Sequence, residues 1–154
     1  MTSGVSQARD WTEGDVTFRN RGSGKCLEIA NSSKSNGARA QQWDCNGQAG
    51  ARWRAVDGYD GTYQLVNVNS HKCLEVADSR RDNGAPIQQW DCAGNKTQSW
   101  RKMDLNGDYG AFFINENSGM LLEIENSSRS NGARAQQWNM GSNATGQNWF
   151  IYWA

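Results

Sequence analysis

The feature that most constrains the fold of this chain is an internal repeat. Residues 24–45 read GKCLEIANSSKSNGARAQQWDC, residues 71–92 read HKCLEVADSRRDNGAPIQQWDC, and residues 119–140 read GMLLEIENSSRSNGARAQQWNM. They are one segment written three times. Glu28, Glu75 and Glu123 correspond at intervals of 47 and 48 residues, as do Trp43, Trp90 and Trp138. A second tryptophan follows each copy, at Trp53, Trp100 and Trp149, and the upstream flanks TFRNRGS, LVNVNSH and FINENSG repeat as well. A fixed period of this kind means one supersecondary unit reused, its copies burying their apolar faces together. The expected organisation is an N-terminal extension over 1–14 and a single domain over 15–154, with repeats at about 15–60, 61–108 and 109–154.

Each copy reads as β structure. Its apolar runs are short, such as Cys26–Ile29, Ala38–Trp43 and Tyr63–Val68, and many alternate polar and apolar residues. Asn36-Gly37, Asn83-Gly84 and Asn131-Gly132 are type I′ hairpin signals at one place in every copy. Asp57-Gly58 and Asn106-Gly107 mark turns between copies. No segment sustains a 3.6-residue period. About four short strands per copy give about twelve, and a threefold set of four predicts a closed barrel capped by hairpins. Closure also removes exposed sheet edges.

Composition narrows the function classes. Only 36% of residues are hydrophobic, which would suggest disorder, but eight tryptophans each bring a large apolar area to bury. Sixteen Lys+Arg balance 16 Asp+Glu, so the basic excess of an electrostatic nucleic-acid binder is missing. No apolar run approaches a membrane span. His71 is the single histidine, so a His-based metal cluster is impossible and any histidine-dependent nucleophile would have to use it. It stands where the other copies have Gly24 and Gly119, which marks it as a turn residue.

Four cysteines form no CxxC pair. Cys26 to Cys45 and Cys73 to Cys92 share a spacing of 19, which predicts two local disulfides of one kind rather than a metal or redox motif. Each would stabilise the fold by roughly 3 kcal/mol in the chain-entropy estimate, and both imply an oxidising compartment. Met1–Asp10 is polar with no apolar leader core, so the expectation is a mature secreted domain, its leader removed and a starting Met supplied. Asp104-Leu105-Asn106-Gly107-Asp108 opens like a calcium loop, but Tyr109 replaces the required glycine and Asn115 the closing glutamate, so no metal is expected. Asn31, Asn95, Asn126 and Asn143 head glycosylation sequons.

Two threefold tryptophan sets call for different roles. Trp53, Trp100 and Trp149 would converge on a shared core, with Gln98 and Gln147 satisfying buried backbone groups. Trp43, Trp90 and Trp138 each follow a glutamine by two residues, so Gln41, Gln88 and Gln136 share their strand face. An aromatic ring can take the C–H face of a sugar, while a carboxylate and an amide take its hydroxyl rim. Glu28, Glu75 and Glu123 would be that carboxylate. The residues alone equally allow these tryptophans to pack on the outside, with the glutamates paired to Arg39 or Arg134. Those arginines share the strand face of Gln41 and Gln136 and could reach hydroxyls or an acidic sugar, although a solvated edge charge is the simpler reading; copy two has Pro86 there.

The ordered pattern C-L-E-[IV], an Asn-Gly loop, Q-Q-W-D-C and then Q-x-W resembles the ricin B-chain-type lectins, also called R-type lectins or family-13 carbohydrate-binding modules. The likeness covers roughly residues 15–154. It implies an all-β β-trefoil with pseudo-threefold symmetry. The family's sugar-binding carboxylate falls on Glu28, Glu75 and Glu123. Its polar and stacking residues fall on Gln41 with Trp43, Gln88 with Trp90, and Gln136 with Trp138. Three departures stand out. Glutamate replaces the family aspartate in every copy. The family's hydroxyl-binding Asn before Q-x-W becomes Gly50, Thr97 and Gly146, leaving Asn46 or Asn95 as replacements. Copy one has Ala51-Arg52-Trp53 in place of Q-x-W, and copy three has Leu121 and Met140 in place of the cystine, expected to form an apolar pair.

The resemblance implies a non-catalytic, secreted carbohydrate-binding protein with up to three equivalent shallow sites for galactose-type or related neutral sugars. It implies no cofactor, glycans or polysaccharides as partners, no nucleic acid, no membrane insertion, and a monomer or weak homo-oligomer. Three Glu/Trp sets on separate lobes cannot form the paired carboxylates of a glycosidase. The alternatives are a targeting module of a larger glycosidase or toxin, and a trefoil protease inhibitor acting through one exposed loop.

Overall fold

The computed structural model describes residues 10–141 and 144–154, so most of the N-terminal extension and the sequon asparagine Asn143 lie outside the described residues. Twelve strands follow in order: β1 (Val16–Asn20), β2 (Cys26–Ile29), β3 (Ala40–Trp43), β4 (Trp53–Asp57), β5 (Tyr63–Asn67), β6 (Cys73–Val76), β7 (Ile87–Trp90), β8 (Trp100–Asp104), β9 (Ala111–Asn115), β10 (Leu121–Ile124), β11 (Ala135–Trp138) and β12 (Trp149–Trp153). Antiparallel pairing runs from β1 to β4, β5, β8, β9 and β12 and back to β1, which closes a six-stranded barrel. The hairpins β2–β3, β6–β7 and β10–β11 hang from β1, β5 and β9. They meet one another through the bridges Arg39↔Gln88, Pro86↔Gln136 and Gln41↔Arg134. This is the closed barrel capped by hairpins that the repeat predicts, and the β-trefoil that the family resemblance implies.

Alternation along the barrel strands explains closure. On β1, Val16, Phe18 and Asn20 are buried while Thr17 and Arg19 are not. Trp53, Trp100 and Trp149 are fully buried, and each indole Nε1 donates to a hairpin carbonyl, Leu27, Leu74 or Leu122, at 3.0 Å. One residue thus supplies core volume and satisfies a buried acceptor. Trp11 packs at the end of this core, 4.7 Å from the Tyr63 ring and within ring-contact range of Phe18 and Phe113. A set of buried asparagines also recurs. Asn20, Asn67 and Asn115 donate from Nδ2 to the carbonyls of Gly146, Gly50 and Thr97, tying each lobe to the one before it.

Both disulfides form, with Cα separations of 5.2 Å for Cys26–Cys45 and 5.1 Å for Cys73–Cys92. In the third lobe Leu121 is buried, but Met140 is 60% exposed, so a packed apolar pair does not replace the cross-link. The Asn-Gly signals also act differently from expectation. Ile29 pairs with Ala40, so the β2–β3 connection is long, not a two-residue loop. Gly37 has φ +85° while Asn36 is absent from the left-handed residues, which fits a type II turn and not type I′. The physical reason is that the asparagine is used across lobes: Asn36 Oδ1 accepts from the Asp91 backbone N–H, and Asn131 and Asn83 do the same for Asp44 and Asn139.

Candidate functional site

Glu28 on β2 lies directly across from Gln41 on β3, and the same register places Glu75 opposite Gln88 and Glu123 opposite Gln136. Each carboxylate is nearly buried, 6–8% exposed. Gln41, Gln88 and Gln136 donate Nε2 to its Oε2 at 2.8, 2.8 and 2.7 Å. A second glutamine donates to Oε1: Gln48 at 2.9 Å, Gln98 at 3.1 Å and Gln147 at 3.0 Å. Arginine pairing of these glutamates, the other reading open from the sequence, is not what holds them. A carboxylate accepts about four hydrogen bonds, so two amide donors fix its orientation and leave acceptor capacity for a ligand.

The second glutamine is also anchored. Gln48, Gln98 and Gln147 donate to the Asp44, Asp91 and Asn139 carbonyls and accept from the backbone N–H of Asn46, Ala93 and Gly141. Gln98 and Gln147 therefore do satisfy backbone groups, and they position the carboxylate as well. The first lobe lacks glutamine before Trp53, and Gln48, three residues upstream of Ala51, fills the place. Sequence reasoning missed Gln48 because it breaks register with the repeat; its Gln identity within the loop after Cys45 was the available signal.

The neighbouring aromatic is half open. Trp43, Trp90 and Trp138 are 40%, 45% and 42% exposed, at the strand position paired with Cys26, Cys73 and Leu121. In the first lobe Glu28, Gln41, Trp43, Asn46, Gln48 and Asn31 line one open cleft of about 220 Å³. Asn46 is thus present at this site, while the replacement for the family Asn at Gly50 is buried, with Ile29 O only 2.9 Å from where a Cβ would stand.

Each site is composite. Gly132 of the third lobe lies against the Trp43 ring, Gly37 of the first against Trp90, and Gly84 of the second against Trp138, with a Cβ position 3.7, 3.7 and 3.6 Å from Cζ3. Gln42, Gln89 and Gln137, fully buried, clamp the same incoming loops: Gln42 Nε2 donates to the Ser128 and Ser130 carbonyls, and the other two repeat the motif. Asn131 and Asn36 hold Asp44 and Asp91 from the same loops. Hydrogen bonds from Asn131 and then Lys25 keep the Asp44 carboxyl below the usual aspartate range, and Asn36 and Lys72 do so for Asp91. Among the described residues no cluster of three or more His, Cys, Asp or Glu could hold a metal, and no helix is long and apolar enough to cross a membrane.

Comparison with known proteins matches this architecture. The family described as ricin-type β-trefoil lectin domain-like matches residues 6–90, 60–138 and 96–153. No curated protein matches the chain in sequence. Among solved structures, a designed threefold-symmetric protein, ThreeFoil, is 36% identical at TM-score 0.86, over 90% of this chain and 98% of its own. An exo-β-1,3-galactanase from Clostridium thermocellum is 28% identical at TM-score 0.88, over 97% of this chain and 32% of its own, so the likeness covers about a third of that enzyme. The Rhizoctonia solani agglutinin, at 17% identity and TM-score 0.81 over 96% of this chain and 98% of its own, shares the fold.

Proposed function

The chain belongs to the ricin-type β-trefoil lectin domain-like family, and from that premise we propose that it is a non-catalytic carbohydrate-binding protein with three composite sites. The observation that carries this reading is the threefold recurrence of one constellation: a buried carboxylate held by two glutamine amides beside a half-exposed tryptophan. The carboxylate accepts from two sugar hydroxyls through its unused lone pairs, and each charge-assisted hydrogen bond contributes roughly 1.5–3 kcal/mol. The tryptophan takes the apolar ring face. Galactose-type neutral sugars are the proposed class, supported by the likeness to part of a galactanase. Shallow single sites gain from multivalency, because three on one rigid body raise avidity for clustered glycans. Disulfides fit a secreted protein.

A second reading keeps the sugar chemistry but changes its setting. The chain matches 32% of the galactanase chain and 17% of a mosquitocidal holotoxin, which supports a targeting module in a larger protein. Trp90→Ala tests the common core of both readings. It should weaken binding to immobilised galactan at the second site about tenfold, roughly 1.4 kcal/mol, with unchanged circular dichroism. Unaltered binding in Trp43→Ala, Trp90→Ala and Trp138→Ala, singly and combined, would overturn the site assignment.

A further inference from the structure

The three sites are not chemically equal. Arg39, Pro86 and Arg134 are threefold equivalents, and each bridges to the site glutamine of another lobe. Directly opposed residues on antiparallel strands project on one face. Three rows result: Glu28–Gln41–Arg134, Glu75–Gln88–Arg39 and Glu123–Gln136–Pro86. The first two end in a guanidinium and the third in a proline ring. Where the hairpins meet, a cleft of about 260 Å³ opens, lined by Pro86, Gln136, Gly84, Glu125 and both Arg39 and Arg134. It adjoins the third site, because Gly84 also lies against Trp138, its Cβ position 3.6 Å from Cζ3, and Gln136 lines both. No side-chain hydrogen bond or ion pair engages Arg39 or Arg134 among the described residues. Two guanidiniums against one carboxylate leave the cleft net positive, with unused donors in a planar fork that matches a carboxylate or a sulfate. Glu123 and Pro86 stand two strand spacings apart, roughly 10 Å, farther than one sugar ring reaches.

We infer that the third site continues into an anion subsite, so that a glycan bound at Trp138 and Glu123 places a carboxylate or sulfate of its adjoining residue between Arg39 and Arg134. This rests on the sugar-binding reading. The test compares β-1,3-galactobiose with the same disaccharide bearing a uronate, and then a sulfate, on its outer residue, titrated by calorimetry with the Trp138 indole followed by NMR. The acidic disaccharides should bind the third site about tenfold more tightly than the neutral one, and the advantage should shrink as salt rises. The stronger of the two identifies the anion. In Arg39→Gln/Arg134→Gln the acidic-to-neutral ratio should fall to about one, and in Glu125→Gln it should rise. A ratio near one in the unaltered protein, or one unmoved by both variants, overturns the anion subsite while leaving sugar binding standing. Absence of all three disaccharides from a site where Trp138→Ala also changes nothing overturns the sugar reading itself.

Discussion

Glu28, Glu75 and Glu123 are held in place by amides, not by arginines, and that choice decides what they can do. An arginine fork would occupy both carboxylate oxygens in the site plane, whereas Gln41 and Gln48 each take one lone pair and leave the others open. Glu28→Gln therefore should both abolish the first site and destabilise the fold. Its amide nitrogen would face the Nε2 donor of Gln41 or Gln48, leaving a buried donor unmatched at about 1–3 kcal/mol. Thermal unfolding with glycan titration checks both halves. Gln48→Ala should weaken the first site and spare the other two, because Gln98 and Gln147 serve those; an equal loss at all three would contradict its positioning role. The recurrence of Glu, Gln and Trp is legible from the repeat, whereas their joint role at a site follows from the family resemblance. Gln48 is not legible there, since a residue that takes over a role from a different position leaves no trace in a register comparison.

At the scale of strands and loops, the Asn-Gly signals do mark turns, but of a type other than the I′ hairpin expected. An isolated Asn-Gly favours a I′ hairpin, but here Asn131 and Asn36 are used to hold Asp44 and Asp91 of another lobe. A contact of that sequence separation is invisible to a local pattern. The doublet glutamines Gln42, Gln89 and Gln137 were legible as repeats, yet nothing in the sequence says that they clamp loops from the adjoining lobe. The consequence is a crossed effect. Gly132→Ala, forced at φ +85° with its Cβ about 3.7 Å from the Trp43 ring, should destabilise by more than about 1 kcal/mol. It should shift the Trp43 indole signal and weaken the first site, while Trp138 of its own lobe stays unmoved. Acid should act here late. The Asp44 carboxyl is held below its ordinary value by Asn131 and then Lys25, so its contribution is complete above the ordinary aspartate pKa of about 3.9. It is lost only as pH falls through the lower folded value. An NMR titration of Asp44 should show that depressed midpoint, and Asn131→Ala should raise it.

Across the whole molecule, the threefold repeat predicts a closed barrel capped by hairpins, because closure lets three like units share one core and hide their edges; the resemblance in the motifs is what makes it a trefoil. The buried tryptophan ring of Trp53, Trp100 and Trp149 follows from that symmetry. What symmetry could not give are its exceptions: Met140 left exposed, Pro86 standing where the other lobes carry Arg39 and Arg134, and Trp11 packed on the core from outside the repeat. The cross-links are likewise confined to two lobes. Removing both by Cys→Ala should cost roughly 3 kcal/mol each and lower Tm by roughly 10–20 °C, which calorimetric unfolding measures. Since each site borrows a loop from another lobe, an isolated repeat should not bind sugar even where it retains Glu, Gln and Trp.

At issue is sugar binding at three composite sites, each through a glutamine-held carboxylate and a half-exposed tryptophan. Titration calorimetry of the protein with a galactose-type oligosaccharide chosen from a glycan array tests it most directly, run beside the Trp43→Ala/Trp90→Ala/Trp138→Ala triple variant. The protein should bind with a stoichiometry of three, and the variant, its circular dichroism unchanged, about tenfold more weakly at each site. A folded triple variant that binds as the parent does would contradict it.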